Sequence, residues 1–196
     1  LVFGKTGQVA VELSKFKDVL CIGRETCNLE NPQSCKDVIF NFQPEVVINA
    51  AAYTAVDEAE NNKDIAYKIN SEAPALMATS CKALSIPFIH ISTEYVFNGE
   101  NDKPWGTDDI TSPLGVYGHS KREGELAILD ANLNSIIIRT SWIFSSTGKN
   151  FLKTILNLAK NNPDLSVVSD QVGGPTSAFS VAKTCYQISS FLRVQI

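Results

Sequence analysis

The sequence predicts an α/β chain built on a doubly wound parallel sheet. Three observations carry this. Short apolar runs recur along the chain, segments of helical composition lie between them, and a glycine-bearing turn directly follows the first run. After an opening L-V-F, the runs are V-L-C-I-G (19–23), E-V-V-I-N-A-A-A (45–52), P-F-I-H-I-S-T (87–93) and S-I-I-I-R-T-S-W-I-F (135–144). They are continuous rather than alternating, as expected of strands buried on both faces beneath helices.

The intervening segments 7–17, 32–42, 61–85 and 117–131 read as helices, which completes the alternation of a doubly wound fold. Asn31 followed by Pro32 reads as an N-cap and a first-turn proline. Pro74 brings no N–H, so it is expected to interrupt the 61–85 stretch, with Ser71 as a new cap. Beyond Trp142 the rhythm changes. Residues 149–161 read as a helix, L-S-V-V-S-D (165–170) as a strand, D-Q-V-G-G-P-T (170–176) as a turn-rich loop and 177–192 as a last helix.

Bulk properties narrow the function classes. With 196 residues, 44% of them hydrophobic, the chain can fill a sizeable core. A net charge of −4 without a long basic run argues against nucleic acid as a partner. No apolar run approaches the roughly 20 residues of a membrane span, and no charged-then-apolar leader opens the sequence. Five cysteines, an odd count with no C-x-x-C spacing, read as reduced thiols in a cytoplasmic protein. The two histidines, His90 and His119, would have to carry any metal site or serine triad alone, and no metal is expected. His90 reads as a satisfied core residue and His119 as solvent-facing. The carboxylates of D-E-A-E (57–60) read as the solvated start of a helix.

G-K-T-G-Q-V-A (4–10) follows the first strand. Gly4 and Gly7, three apart at a strand-to-helix turn, let backbone approach a pyrophosphate, and Ala10 is small enough for close helix–strand packing. Arg24 closes the second strand where a group selecting between NADP and NAD belongs; Glu25 beside it pulls the other way, so the cofactor is read as NADPH or NADH. Tyr117 and Lys121 stand four apart in V-Y-G-H-S-K and share a helix face. Thr93 ends a strand, where ligands of open α/β sheets bind; Ser92 points the other way. Trp142 is open to two readings, a cover for a ligand or a core filler.

Several of these strings together resemble dTDP-4-dehydrorhamnose reductases, extended short-chain dehydrogenases/reductases of Rossmann type. They are G-K-T-G-Q-V, N-A-A-A-Y-T-A-V-D-E-A-E (49–60), I-S-T-E-Y-V-F-N-G (91–99), P-W (104–105), S-P-L-G-V-Y-G-H-S-K (112–121), R-T-S-W-I-F (139–144) and D-Q-V-G-G-P-T. The resemblance implies NAD(P)H-dependent reduction of the C4 ketone of dTDP-4-dehydro-L-rhamnose, with Thr93, Tyr117 and Lys121 as the catalytic set. It implies cofactor contacts at Gly7, Gln8, Val9, Asn28, Leu29, Ala52, Tyr53, Thr54, Ile91, Tyr117 and Lys121, and substrate contacts at Thr93, Glu94 and Trp142. A homodimer is left open. Glu94 stands where the family usually has aspartate, Asn28 where aspartate is common, and Phe179 where a metal-binding glutamate is expected in some members. Family chains run further, so 1–145 is expected to form a dinucleotide-binding unit with a truncated first strand. Residues 146–196 are expected to begin an incomplete substrate-binding portion interwoven with it.

Ketone reduction needs a hydride on carbon and a proton on oxygen, and a nicotinamide supplies only the hydride. Tyr117 is the expected proton donor, with the Lys121 ammonium lowering its pKa. Two other readings share the Tyr/Lys pair: a nucleotide-sugar 4-epimerase or 4,6-dehydratase, and a non-catalytic NADP-binding regulatory subunit.

Overall fold

Each predicted apolar run becomes a strand paired in parallel with its neighbours. In the computed structural model, which describes residues 1–193, β1 (Val2–Phe3), β2 (Cys21–Ile22), β3 (Val47–Asn49), β4 (Phe88–Thr93) and β5 (Ser135–Thr140) form one sheet. Its order is β2-β1-β3-β4-β5. Val2 lies opposite Cys21 on one side and Ile48 on the other, Ile48 faces Ile89, and Ile89 faces Ile136. Successive side chains leave opposite faces. Phe3, Val47 and Phe88 therefore enter one core, while Val2, Ile48 and Ile89 enter a second.

Helices cover both faces. α1 (Gln8–Leu13) and α8 (Ala178–Arg193) supply Val9, Leu13, Val181 and Cys185 to the second core. α2 (Pro32–Phe42) and α5 (Ala73–Ala83) supply Ile39, Met77 and Cys81 to the first, joined by Ile128 of α6 (Val116–Ala131). Short helices α3 (Val56–Ala59) and α4 (Lys63–Tyr67) precede α5, and α7 (Phe151–Leu158) precedes α8. No helix among the described residues is long and apolar enough to cross a membrane.

Several expectations need correction. The 61–85 stretch is not interrupted at Pro74: α4 runs into a π-helical turn (Lys68–Glu72) that continues straight into α5. Pro74 directly follows the π-helical turn, whose altered hydrogen-bonding accommodates its missing N–H, and Ser71 is buried without capping anything. Asn31 makes no side-chain capping bond. α1 is shorter than 7–17. The 135–144 run splits, because Trp142 takes a φ of 44° between β5 and a separate strand, β6 (Ile143–Phe144). β6 pairs in parallel with β7 (Thr176–Ser177). Residues 165–170 form no strand: Val167 and Val168 are exposed and pair with no strand among the described residues.

α6 is held unusually close to its neighbours. A Cβ at Gly118 would strike the Tyr95 carbonyl, and one at Gly124 would strike the Asn70 carbonyl in the π-helical turn. Asn70 joins three segments: its Oδ1 accepts from Tyr53 N (2.9 Å) and its Nδ2 donates to Tyr53 O (3.1 Å) and Ser120 Oγ (3.0 Å). Glu60, expected to be merely solvated, instead caps α6 by accepting from Val116 N at 2.7 Å. Further along α6, Glu125 is fully buried and takes a fork from Arg139 of β5, at 2.9 Å and 2.7 Å. Burial alone would push the Glu125 carboxyl up; the hydrogen bonds from Arg139 and Arg122 outweigh it and hold it below its ordinary value.

Gly124→Ala should therefore destabilise the fold by about 1–3 kcal/mol, the usual cost of overpacking. Urea unfolding monitored by circular dichroism would show it; a midpoint unchanged from wild type would mean that α6 can move away from the π-helical turn freely.

Candidate active site

In the main sheet the chain runs from β1 out to β2 and then crosses back to β3, leaving a crevice beyond the carboxyl ends of the strands. A cavity of about 830 Å³ occupies this place, within the range of small-ligand sites. It gathers nearly all the sequence candidates: Gly4, Gly7, Gln8, Val9, Arg24, Asn28, Leu29, Ala52, Thr54, Ile91, Thr93, Glu94, Tyr117, Lys121 and Trp142. Tyr53 is the exception. Asn70 engages its backbone on both sides, and its ring packs into the cores beside Val116 and Ile69.

The glycine turn is built for close approach. Gly4 has φ +119°, and a Cβ there would sit 3.3 Å from the Ala50 carbonyl, so only glycine fits without strain. Gly7 is unstrained, and a Cβ would meet only Ala50 O at 4.0 Å. The room its missing side chain leaves belongs to the cavity. Gln8 ties the turn to the later chain: its Nε2 donates to Ile143 O (3.2 Å), and its Oε1 accepts from Ser145 Oγ (3.0 Å) and Asn150 Nδ2 (2.9 Å). At the end of β2, Glu25 is engaged by Lys5 at 2.6 Å, and that hydrogen bond lowers its carboxyl pKa. The acid expected to oppose Arg24 is thus already paired. Sequence reasoning missed Lys5, which lies twenty residues away.

Trp142 is 39% exposed, which removes the core-filler reading. It lines the cavity, and the Gly173 backbone packs against its indole so closely that a Cβ would lie 2.6 Å from the ring. Ser141 Oγ donates to Gly174 O at 2.6 Å, holding the same loop. Among the described residues no cluster of three or more His, Cys, Asp or Glu is arranged to hold a metal ion.

Thr93, Tyr117 and Lys121 converge on one wall. Tyr117 is buried against Tyr95 in an edge-on contact, with ring centroids 5.4 Å apart. Thr93 Oγ1 donates to Glu94 Oε2 (3.2 Å) and accepts from Tyr95 N (3.2 Å), so it also caps the short 3₁₀ turn Glu94–Val96. Burial raises the Glu94 carboxyl, partly offset by hydrogen bonds from its own backbone and from Thr93. Ser92 points away from Thr93 into buried surroundings, as period two requires, although it too reaches the cavity wall.

The electrostatics correct the sequence reading. Burial pushes the Tyr117 phenol up to about 12, with the hydrogen bond to Thr93 pulling it back and the charge of Glu94 raising it further. Lys121 does not lower it here, because its Nζ is turned onto Ile91 O (2.8 Å) and His90 Nε2 (3.0 Å). Burial brings Lys121 itself down to about 7, against the opposing pull of Glu125. His90 is buried and satisfied, as expected; its contact with Lys121 was not legible.

A stability consequence follows. An unfolded lysine keeps its proton up to its ordinary value of 10.5, whereas the folded one releases it near 7. Between these values the unfolded chain binds more protons, so stability rises with pH across the window, and the full cost of burying the ammonium is felt below it. The unfolding free energy of wild type relative to Lys121→Met should therefore improve from pH 7 towards pH 10. Parallel curves in denaturant titrations would show that Lys121 ionises normally in the folded chain.

A family model described as RmlD substrate binding domain matches residues 1–193. The dTDP-4-dehydrorhamnose reductase of Sinorhizobium fredii is 40% identical over 185 residues, covering 92% of this chain and 62% of its own. That of Salmonella typhimurium is 40% identical over 186 residues, covering 91% and 62%. The chain thus spans a little under two thirds of the length of these relatives. Among solved structures, a dTDP-4-dehydrorhamnose reductase of Clostridium acetobutylicum superimposes with a TM-score of 0.92 at 36% identity, covering 96% of this chain and 69% of that one. One from Bacillus anthracis, solved in complex with NADP, gives 0.92 at 29% identity with the same coverages. With its sheet order, its glycine turn and these matches in agreement, the chain belongs to the dTDP-4-dehydrorhamnose reductase family of extended short-chain dehydrogenases/reductases.

Proposed function

We propose that the full protein reduces the C4 ketone of dTDP-4-dehydro-L-rhamnose to give dTDP-L-rhamnose, using NADPH or NADH. The observation that carries this is the meeting of Thr93, Tyr117 and Lys121 in the same cavity as the glycine turn and Arg24, in a chain of this family. The residues fit a dinucleotide. Gly4 lets the turn pass close to β3, Gly7 leaves room in the cavity for a pyrophosphate, and the cavity edge at β2 carries Arg24 with Glu25 already paired to Lys5. A bound reduced nicotinamide would supply the hydride.

The chain's own groups handle the proton. Tyr117, held protonated by its buried setting, donates through its phenol oxygen to the developing alkoxide. Thr93 offers a hydroxyl beside it for the ketone oxygen once its proton turns away from Glu94. Trp142, half open and braced by the Gly173 loop, covers the sugar. Lys121, on the same wall, steadies the phenolate left behind once it carries charge. The remaining candidates at Gln8, Val9, Asn28, Leu29, Ala52, Thr54 and Ile91 border the dinucleotide, and the chain from residue 146 to 196 begins the substrate-binding portion, interwoven with the first unit through α8, which packs back on the sheet.

Oxidation of NADPH and NADH by the full-length protein with dTDP-4-dehydro-L-rhamnose tests this. Tyr117→Phe should lower kcat by about 100-fold or more, the scale of general acid catalysis, with dinucleotide affinity little changed. Turnover near wild type would end the proton-donor assignment. Arg24→Ala should weaken NADPH about tenfold, the scale of a lost charge-assisted hydrogen bond, and NADH much less. Equal weakening of both would remove Arg24 from the 2′-phosphate.

A further inference from the structure

Behind the Tyr117/Lys121 wall, Lys121 ends a buried chain of polar groups whose other two members the proposed reaction does not use. Asn49 (0% exposed) ends β3, His90 (0%) sits opposite it in register on β4, and Lys121 (1%) reaches in from α6. The hydrogen-bond inventory of these three groups fixes where their protons lie. Asn49 Oδ1 accepts from Ala51 N at 3.1 Å, so the amide is oriented and its Nδ2 donates to His90 Nδ1 at 3.1 Å. An Nδ1 that accepts carries no proton, and a neutral imidazole then bears it on Nε2. That Nε2–H faces Lys121 Nζ at 3.0 Å. An ammonium has three donors and no acceptor, so it cannot receive this bond. A neutral amine can, through its lone pair, while donating to Ile91 O at 2.8 Å.

We propose that Asn49 and His90 are positioning residues that hold Lys121 as a neutral amine in the free chain, so that the lysine takes up a proton when an anionic dinucleotide enters the cavity. The surroundings agree. The titratable groups beside Lys121 are His90 on β4 and Glu125 on α6, with Tyr117 of α6 and Glu94, just beyond β4, lining the same cavity. Of these Glu125 favours the ammonium, yet it is already engaged by Arg139 and Arg122. His90 resists protonation because it is buried and beside Lys121. Lys121 also lines the cavity, where phosphate charge favours the ammonium. Proton uptake rests on dinucleotide binding as proposed above; the tautomer of His90 does not.

The test uses the full-length protein with ¹⁵N-labelled histidine, the His90 signals being assigned by their loss in His90→Gln. Without ligand, His90 should be neutral with its proton on Nε2 from pH 8 to 9, above the point near 7 at which Lys121 loses its proton; a proton on Nδ1, or an imidazolium, overturns the network. Asn49→Asp replaces the amide donor by an acceptor of the same shape. It should move the proton to Nδ1 and raise the titration midpoint of Lys121, read from labelled lysine, by about one unit or more; an unmoved tautomer counts against the proposal. If that variant does not fold, His90→Gln, whose carbonyl can accept from Lys121, should raise the same midpoint, and an unchanged value overturns it. Calorimetry with NADPH at pH 8 in buffers of different ionisation enthalpy should show close to one proton taken up in wild type and none in Lys121→Met. Binding without uptake removes the coupling. Failure of NADPH to bind removes both the coupling and the dinucleotide reading, while the tautomer result still decides the network.

Discussion

The close approach of α6 to the sheet and to the π-helical turn is the constraint on which the site depends. Lys121 can bury its whole stem only because Gly118 and Gly124 present no side chains to the Tyr95 and Asn70 carbonyls. Glu60 fixes one end of the helix and the Glu125–Arg139 fork the other, so Tyr117 and Lys121 inherit their positions from contacts several residues away. Close-packed interiors transmit displacements rather than absorb them. A shift of α6 would move the phenol and the amine together relative to Thr93.

Burial reshapes the chemistry of that wall. Read as an isolated pair, a phenol and an ammonium four residues apart should each favour the other's charged form, phenolate beside ammonium. In the folded chain dehydration acts on each first: it favours the uncharged phenol and the uncharged amine. The two arrive at the wall as neutral donors, and the charges that reduction needs are deferred until something anionic shares the cavity.

Much of this was legible in the sequence, for identifiable reasons. Strands buried on both faces leave continuous apolar runs, and a strand-to-helix turn that must pass close to β3 leaves Gly4. Fifteen of the sixteen site candidates line one cavity because they sit at strand ends, in the segments just beyond them or on the first turns of α1 and α6, whose positions the alternation of elements already sets. What stayed hidden depends on pairing across the fold. Nothing in P-F-I-H-I-S-T says that His90 lies opposite Asn49, since the register of parallel strands is a property of two distant segments. Tyr53 was drawn away from the cavity by Asn70, seventeen residues on. The π-helical turn that let Pro74 pass has no marker of its own, and Val167 and Val168 carried strand propensity yet pair with no strand among the described residues.

The last helix gives the chain a late dependence. α8 covers Val2, Ile48 and Ile89, which belong to the first, third and fourth strands. A chain emerging from the ribosome has therefore made all five strands of its main sheet while one side of that sheet is covered by α1 alone and the part α8 will cover still faces water. Unpaired apolar surface of this kind is what draws nascent chains into aggregation. Biosynthesis is most vulnerable here between the appearance of Thr140 and that of Ala178, and helpers that shield nascent polypeptides have their opening in that interval.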